Sequence, residues 1–237
     1  MTIIPPLDLN VDGGEFVGVI GPNGAGKTTL FGMISGGVTC DTGSVKLSGT
    51  DLTSLGADAR CRAGIGRTFQ IPQPFQAMTV YENALVAATF GAGSHGHDAQ
   101  SGACDALEQC GLIALGDVPA GRLTLLQRKR LEVARALATR PSVLLLDEVA
   151  GGLTEAEVAE LLELVSAVNR SGVAVVWIEH LVHALVSVAR RLVVLAGGVV
   201  LQDGVPQTVL RSQVVRETYL GSDLDSDLEE EACHAAH

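Results

Sequence analysis

Gly21-Pro-Asn-Gly-Ala-Gly-Lys-Thr28 fits the spacing G-x-x-x-x-G-K-[ST]. That is the pattern of a loop whose backbone N–H groups wrap phosphate oxygens. Glycines at 21, 24 and 26 let successive N–H groups turn inward, because no Cβ stands between backbone and ligand. Pro22, Asn23 and Ala25 fill the remaining positions. A helix from Thr28 to about Ser35 follows and aims the positive end of its dipole at the same charge. Lys27 is placed to reach the β- and γ-phosphates of a nucleoside triphosphate, and Thr28 to offer a hydroxyl to Mg²⁺, with Thr29 beside it in the phosphate cradle. An ordinary glycine-rich turn has no reason to match all eight positions between a strand and a helix.

Val143-Leu-Leu-Leu-Asp147-Glu148 is an apolar strand that ends in two carboxylates. Beside such a loop, Asp147 can hold Mg²⁺ through water, and Glu148 can orient and polarise an attacking water. Trp177-Ile-Glu179-His180 ends another strand, and a His there can donate a hydrogen bond to a γ-phosphate lying over the same sheet edge. His183 has no third ligand nearby to make a metal site with His180. His95, His97, His234 and His237 read as solvated. Gln70 lies between Gly66-Arg-Thr-Phe69 and a Pro-rich stretch, Ile71-Pro-Gln-Pro-Phe75. On its own it reads as a turn residue.

These residues need a scaffold, and the hydropathy pattern supplies one. Short β-branched runs alternate with helical patterns, which predicts a mostly parallel sheet covered by helices. Glu15–Ile20, Val143–Asp147 and Val173–Ile178 read as buried strands. Between the last two, Thr154 and Glu157 form a capping box, Val158, Leu161, Leu162, Val165 and Val168 form one apolar face, and Gly172 suits the C-terminal cap. Gly197-Gly198 between Leu192–Ala196 and Val199–Gln202 predicts a hairpin. Residues 71–135 read as a small helical insert. Thr79 and Glu82 cap an Ala/Val-rich helix, 91–102 reads as a loop, and a helix around Asp105–Cys110 follows. Residues 1–70 and 136–221 then form the sheet core, and 222–237 an acidic tail too poor in apolar residues to order itself.

Composition narrows the function. Aromatics make up 3% of the 237 residues, which argues against modules that stack bases on aromatic platforms. The net charge of −11 argues against non-specific binding to nucleic acid. Six of those charges, Asp223, Asp225, Asp227, Glu229, Glu230 and Glu231, lie in the tail. The five cysteines form no C-x-x-C pair, so reduced thiols are expected rather than disulfides or structural zinc. Neither a signal peptide nor an apolar run of membrane-spanning length is evident. The chain is expected to be soluble, with docking on a membrane protein still open to it.

Taken together, the phosphate loop, Gln70, Leu123-Thr-Leu-Leu-Gln127, Leu-Leu-Asp147-Glu148 and His180 resemble, in that order, the ATP-binding cassette ATPases. The resemblance covers about residues 5–221 and implies an α/β fold of the P-loop NTPase (RecA-like) type, with a mostly parallel sheet and an inserted helical subdomain. Gly66-Arg-Thr-Phe-Gln70, Met78-Thr-Val-Tyr-Glu-Asn83 and Glu217-Thr-Tyr-Leu-Gly221 are similar to the ATPase subunits of branched-chain amino acid importers and of related urea or amide importers. The resemblance implies ATP and Mg²⁺ as ligands, and Gln70 as a contact to Mg²⁺ and the attacking water. It implies two cassettes clamped head to tail, with ATP between one chain's phosphate loop and the signature loop of the other, so that Thr124 and Gln127 face the partner's nucleotide. It further implies a permease in the membrane touched by the loop after Gln70, a substrate-binding protein, and a place at the cytoplasmic face of the membrane.

Three departures accompany the resemblance. The signature Leu-Ser-Gly-Gly-Gln is here Leu123-Thr-Leu-Leu-Gln127, with Leu126 where a glycine backbone approaches the γ-phosphate. Val149 follows Glu148 in place of Pro, and Thr154 stands where the next loop has Asp. The chain also begins after the region that supplies an adenine-stacking aromatic, so either the reading frame is longer or adenine is held less tightly. The damaged signature predicts pairing with a second, Gly-containing ATPase subunit. Two alternatives stand beside the importer subunit. One is a weakly hydrolysing regulatory cassette. The other is a cassette of DNA repair or chromosome maintenance, disfavoured by acidic charge and by the short stretch between Gln70 and Leu123.

Overall fold

The computed structural model describes residues 4–220. A six-stranded sheet forms the centre. Its strands in chain order are β1 (Phe16–Ile20), β4 (Ile65–Arg67), β5 (Val143–Asp147), β6 (Ala174–Ile178), β7 (Arg191–Ala196) and β8 (Val199–Gly204), with β2 (Lys46–Leu47) and β3 (Thr50–Asp51) forming a separate small hairpin. The spatial order is β4-β5-β6-β1-β7-β8. All neighbours are parallel except the β7–β8 hairpin. At its turn Gly197 and Gly198 have φ of 56° and 82°, a pair of left-handed residues that glycine adopts without strain.

The strands carry apolar side chains on both faces, as parallel strands covered by helices must. Phe16, Leu144, Leu146, Val175 and Trp177 fall in one cluster. Their chain neighbours Val17, Leu145 and Val176 fall in the other, with Phe31 of α1 (Lys27–Ser35). Trp177 stacks on Phe16 with ring centroids 6.2 Å apart. Register then fixes what matters for chemistry. Asp147 pairs with Ile178, and Ile178 with Val19, so three strands end in one row. The phosphate loop, Glu148 and His180 follow these ends directly.

After α2 (Ala57–Ala63), the helices α3 (Val80–Val86), α4 (Gly96–Gln109) and α5 (Leu125–Ala138) pack on one another. Thr79 and Glu82 form the capping box of α3. α5 runs unbroken past residue 135. Within the stretch 91–102, only residues 92–95 are a loop. The chain continues from α3 as a π-helical turn, Ala87–Gly91, and α4 starts at Gly96 rather than near Asp105. Ala99, Ala103, Ala106 and Leu107 are buried at helical spacing. Small residues thus make the apolar stripe, and the Gly, Ser and His among them mask it.

In α6 (Glu155–Arg170) the expected capping box of Thr154 and Glu157 is present. Leu164 joins Val158, Leu161, Val165 and Val168 in the core, and Leu162 packs only partly against it. Gly172 has φ of 102°, one residue beyond the cap at Ser171. α7 (Val182–Val188) precedes β7, and α8 (Pro206–Arg211) and α9 (Gln213–Leu220) follow the hairpin. The predicted acidic tail, 222–237, lies outside the described residues. Among the described residues no helix is long and apolar enough to cross a membrane.

Arg60 of α2 is 2% exposed and satisfies the C-terminal end of α1. Its guanidinium donates to the carbonyls of Met33, Ile34 (3.0 Å), Thr53 (2.8 Å) and Leu55 (2.9 Å). These are carbonyls that a helix end or loop otherwise leaves to water. Arg60→Met should strand them and lower unfolding stability by about 3 kcal/mol. Urea denaturation checks this, and an unchanged midpoint would show that the guanidinium is replaceable by solvent.

Candidate active site

The phosphate loop leaves β1 at Gly21, where a Cβ would stand 2.1 Å from the carbonyl oxygen of Leu195 on β7. Only glycine fits that approach. Gly24 and Gly26 have φ of 80° and 98°. Gly26 is the N-terminal cap of α1, so the loop delivers the chain into the helix with its free N–H groups facing outward. Asn23 and Gly24 are exposed, as is Thr28, and Thr29 is half-buried. Together, residues 23–29 and Glu148 line a shallow depression. Lys27 is 6% exposed, and its Nζ donates to the carbonyls of Gly21 (2.5 Å) and Pro22 (3.2 Å). Burial pushes the Lys27 ammonium below the usual lysine pKa, and the carboxylates of Glu148 and Asp147 push it back up.

Asp147 ends β5 and is 3% exposed. Burial raises its pKa, and the hydrogen bond and charge of Arg67 oppose that rise. Arg67 ends β4 and donates 3.0 Å bonds to Asp147 Oδ2 and to Ser35 Oγ. Its guanidinium also lies 5.9 Å from the Phe31 ring centroid and 5.3 Å from that of Phe69. The next residue, Thr68, accepts the backbone N–H of Asp147 at 3.3 Å.

Glu148 has φ of 49°, a left-handed backbone that is costly for a residue with a Cβ. It turns the chain off β5 while its N–H still donates to Ile178 O at 2.9 Å. Both carboxylate oxygens are engaged. Gln70 Nε2 donates to Oε2, and His180 Nε2 lies 2.8 Å from Oε1. A carboxylate only accepts, so His180 Nε2 carries the proton of that bond. The structure therefore brings the phosphate loop, Asp147, Glu148, Gln70 and His180 to one edge.

It does not bring Thr124 and Gln127 there. Thr124 caps α5, its Oγ1 accepts the N–H of Gln127 at 3.3 Å, and Gln127 Oε1 accepts the N–H of Thr124 at 3.0 Å. Three residues that hold the site were not found from the sequence: Arg67, Lys129 and Glu179. Lys129 carried a faint signal, since it and Glu132 are charged residues on the buried face of α5.

The sequence pattern of the ABC transporter family matches residues 4–151. The chain is 32% identical over 221 residues to the lipopolysaccharide export system ATP-binding protein LptB of Escherichia coli (strain K12), covering 93% of this chain and 92% of that protein. It is 35% identical over 230 residues to the high-affinity branched-chain amino acid transport ATP-binding protein BraF of Pseudomonas aeruginosa, covering 91% and 90%. Among solved structures, a nucleotide-free ATP-binding cassette from an ABC transporter superposes with a TM-score of 0.83 at 28% identity over 93% of each chain. The ADP conformation of another such cassette gives 0.83 at 29% identity, again over 93% of each chain. The chain belongs to the ABC transporter family, and is an ATP-binding cassette that hydrolyses ATP.

Lys27→Ala removes the ammonium buried against the phosphate loop. Calorimetry should then show ATP affinity falling by at least about tenfold, the scale of one charge-assisted hydrogen bond. Parent-like affinity would take Lys27 out of the nucleotide site.

Proposed function

We propose that this cassette powers the uptake of a branched-chain amino acid, or of a related small polar solute such as urea or an amide, through a separate permease. BraF supports the solute class, as do Gly66-Arg-Thr-Phe-Gln70 and Met78-Thr-Val-Tyr-Glu-Asn83. In this reading residues 71–135 are the inserted unit that carries the signature loop, and the sheet core holds the nucleotide. The chain sits peripherally at the cytoplasmic face of the membrane through the permease, which receives solute from a binding protein.

The observation that carries the catalytic reading is Glu148 gripped by Gln70 and His180 beside the phosphate loop. Glu148 is the general base that orients the attacking water. Gln70 Nε2 and His180 Nε2, now spent on Glu148, are the donors that turn to water and γ-phosphate when ATP fills the depression. Mg²⁺ fits the residues present. The Thr28 hydroxyl is exposed, the Asp147 carboxylate ends β5, and Gln70 commits its nitrogen to Glu148 while keeping its amide oxygen. All three are hard oxygen donors of the kind Mg²⁺ selects. When bound, the ion offsets phosphate charge.

The segment 71–75 is held from within and open outward. Glu132 Oε1 accepts the N–H of Gln73 at 3.1 Å, and the Arg135 guanidinium donates to its carbonyl at 3.0 Å. Asn83 bonds both backbone groups of Phe75. Ile71 is 70% exposed, and Phe75, 46% exposed, lies under Arg135 with 5.2 Å between guanidinium and ring centroid. This exposure supports the loop as the surface that meets the permease, rather than a linker with Phe75 in the core.

Leu125 and Leu126 open α5 with right-handed backbone. The missing glycines therefore cost nothing in conformation, and the obstacle is two side chains. Pairing with a Gly-containing cassette leaves one of two sites sound, the one built on this chain's phosphate loop.

Three expectations follow from these roles. Glu148→Gln should keep ATP binding and nearly stop turnover, with an ATP-loaded dimer accumulating in gel filtration, whereas an unchanged rate removes Glu148 from the mechanism. Phe75→Asp should uncouple hydrolysis from solute uptake in vesicles and leave ATP affinity intact, and parallel loss of affinity would place Phe75 in the core. Finally, the isolated chain should turn over more slowly than the mixed pair, by up to about 10²–10³. Glycine at both 125 and 126 should close much of that gap at saturating ATP. No gain would mean that the α5 backbone already reaches phosphate.

A further inference from the structure

Behind Glu148 lie two buried charges that the mechanism above does not use. Lys129 of α5 is 3% exposed, and Glu179, the residue after β6, is 2% exposed. Lys129 Nζ donates to the backbone carbonyls of Gln70 at 3.2 Å and Glu148 at 3.5 Å. Glu179 Oε1 accepts the N–H of Ala150 at 2.7 Å and the indole N–H of Trp177 at 3.1 Å, and its Oε2 accepts the N–H of His180 at 3.2 Å.

We propose that Lys129 and Glu179 are positioning residues for hydrolysis, a charged pair that fixes Gln70, Glu148 and His180 relative to one another through their backbones. The inference rests on the roles proposed above for those three residues.

Gln70, Glu148 and His180 follow three different strands, so no local structure relates them. Each has one backbone atom bonded to this pair. Glu148 needs such help most. Its left-handed backbone is held by Ile178 O at its N–H and by Lys129 at its carbonyl, and Glu179 pins the N–H two residues on. Here Val149 stands between the two clamps. A proline there would restrict the turn by its own ring; this chain relies on hydrogen bonds instead.

The chemistry of the two side chains suits the task. Glu179 receives three N–H donors, an arrangement that favours its ionised form. Burial raises its pKa, and those donors oppose the rise. Burial lowers the pKa of Lys129, and the carboxylates of Glu179 and Glu148 oppose that. Removing either partner takes away part of what offsets the burial of the other, whereas removing both spares the fold that cost. That asymmetry separates a positioning pair from one kept for stability alone.

The test compares Lys129→Met, Glu179→Gln, the double variant K129M/E179Q and Glu148→Gln with the parent. It measures kcat and KM for ATP, ATP affinity by calorimetry, and thermal midpoint. The double variant decides, because it carries neither buried charge. It should melt above either single variant, bind ATP within about twofold of the parent and lose about 10²-fold in kcat, the scale of a reacting group displaced by about 1 Å. A double variant that turns over at the parent rate overturns the inference. So does one whose ATP affinity falls in step with kcat, since that marks a merely structural pair. A parent-like rate in Glu148→Gln would instead fell the proposed role of Glu148. A slow Glu148→Gln beside a fast double variant fells only the pair.

Discussion

The row in which β1, β5 and β6 end is the constraint from which the site follows. Parallel neighbours point their C-terminal ends the same way, so whatever leaves those ends meets at one edge. The pairing of Val19 with Ile178 and of Ile178 with Asp147 sets the phosphate loop, the carboxylates and His180 at one level. A slip of one residue in β5 would turn Asp147 towards the opposite face. What opposes such a slip is bonding at the strand end, where the N–H of Asp147 donates to Thr68 Oγ1 and its carboxylate accepts from Arg67. Contacts between neighbouring strand ends thus specify the position of the chemical groups.

Much of this was legible in the sequence, and the legible parts share a cause. The phosphate loop, the Asp147-Glu148 pair and the Gly197-Gly198 turn are local: spacing of a few residues dictates their geometry. Capping boxes at Thr79 and Thr154 are local as well. α4 was misread because its buried stripe is built from alanines among Gly, Ser and His. Such a stripe buries little area per residue and resembles a loop in composition. Arg67, Lys129 and Glu179 were missed for a different reason. Their partners come from strands and helices distant in sequence, and nothing in Arg67-Thr68-Phe69 announces that the guanidinium will lie against Asp147.

The relatives divide the problem along the same line. LptB and BraF are named for lipopolysaccharide export and branched-chain amino acid transport, yet this chain shares about a third of its residues with each. In the proposed reading nucleotide chemistry is concentrated at the sheet edge, where a few positions admit few substitutions. Gly21 against the Leu195 carbonyl is an example at which even a methyl group does not fit. The segment 71–75 is different. Its backbone is fixed by Glu132, Arg135 and Asn83, while its exposed side chains are free to vary. Such a surface can be adapted to a new partner without disturbing the chemistry behind it.

Trp177 gives the arrangement an optical consequence. It is the only tryptophan in the 237 residues, and its indole N–H is bonded to the carboxylate of Glu179. The ring itself is fully buried against Phe16. Tryptophan emission from the chain therefore originates at one shielded place, joined to the backbone N–H of His180 through the Glu179 carboxylate. Any rearrangement of the carboxylate behind the site alters the field and bonding of that single chromophore. The protein carries its own label at the junction of β6 with the proposed catalytic edge.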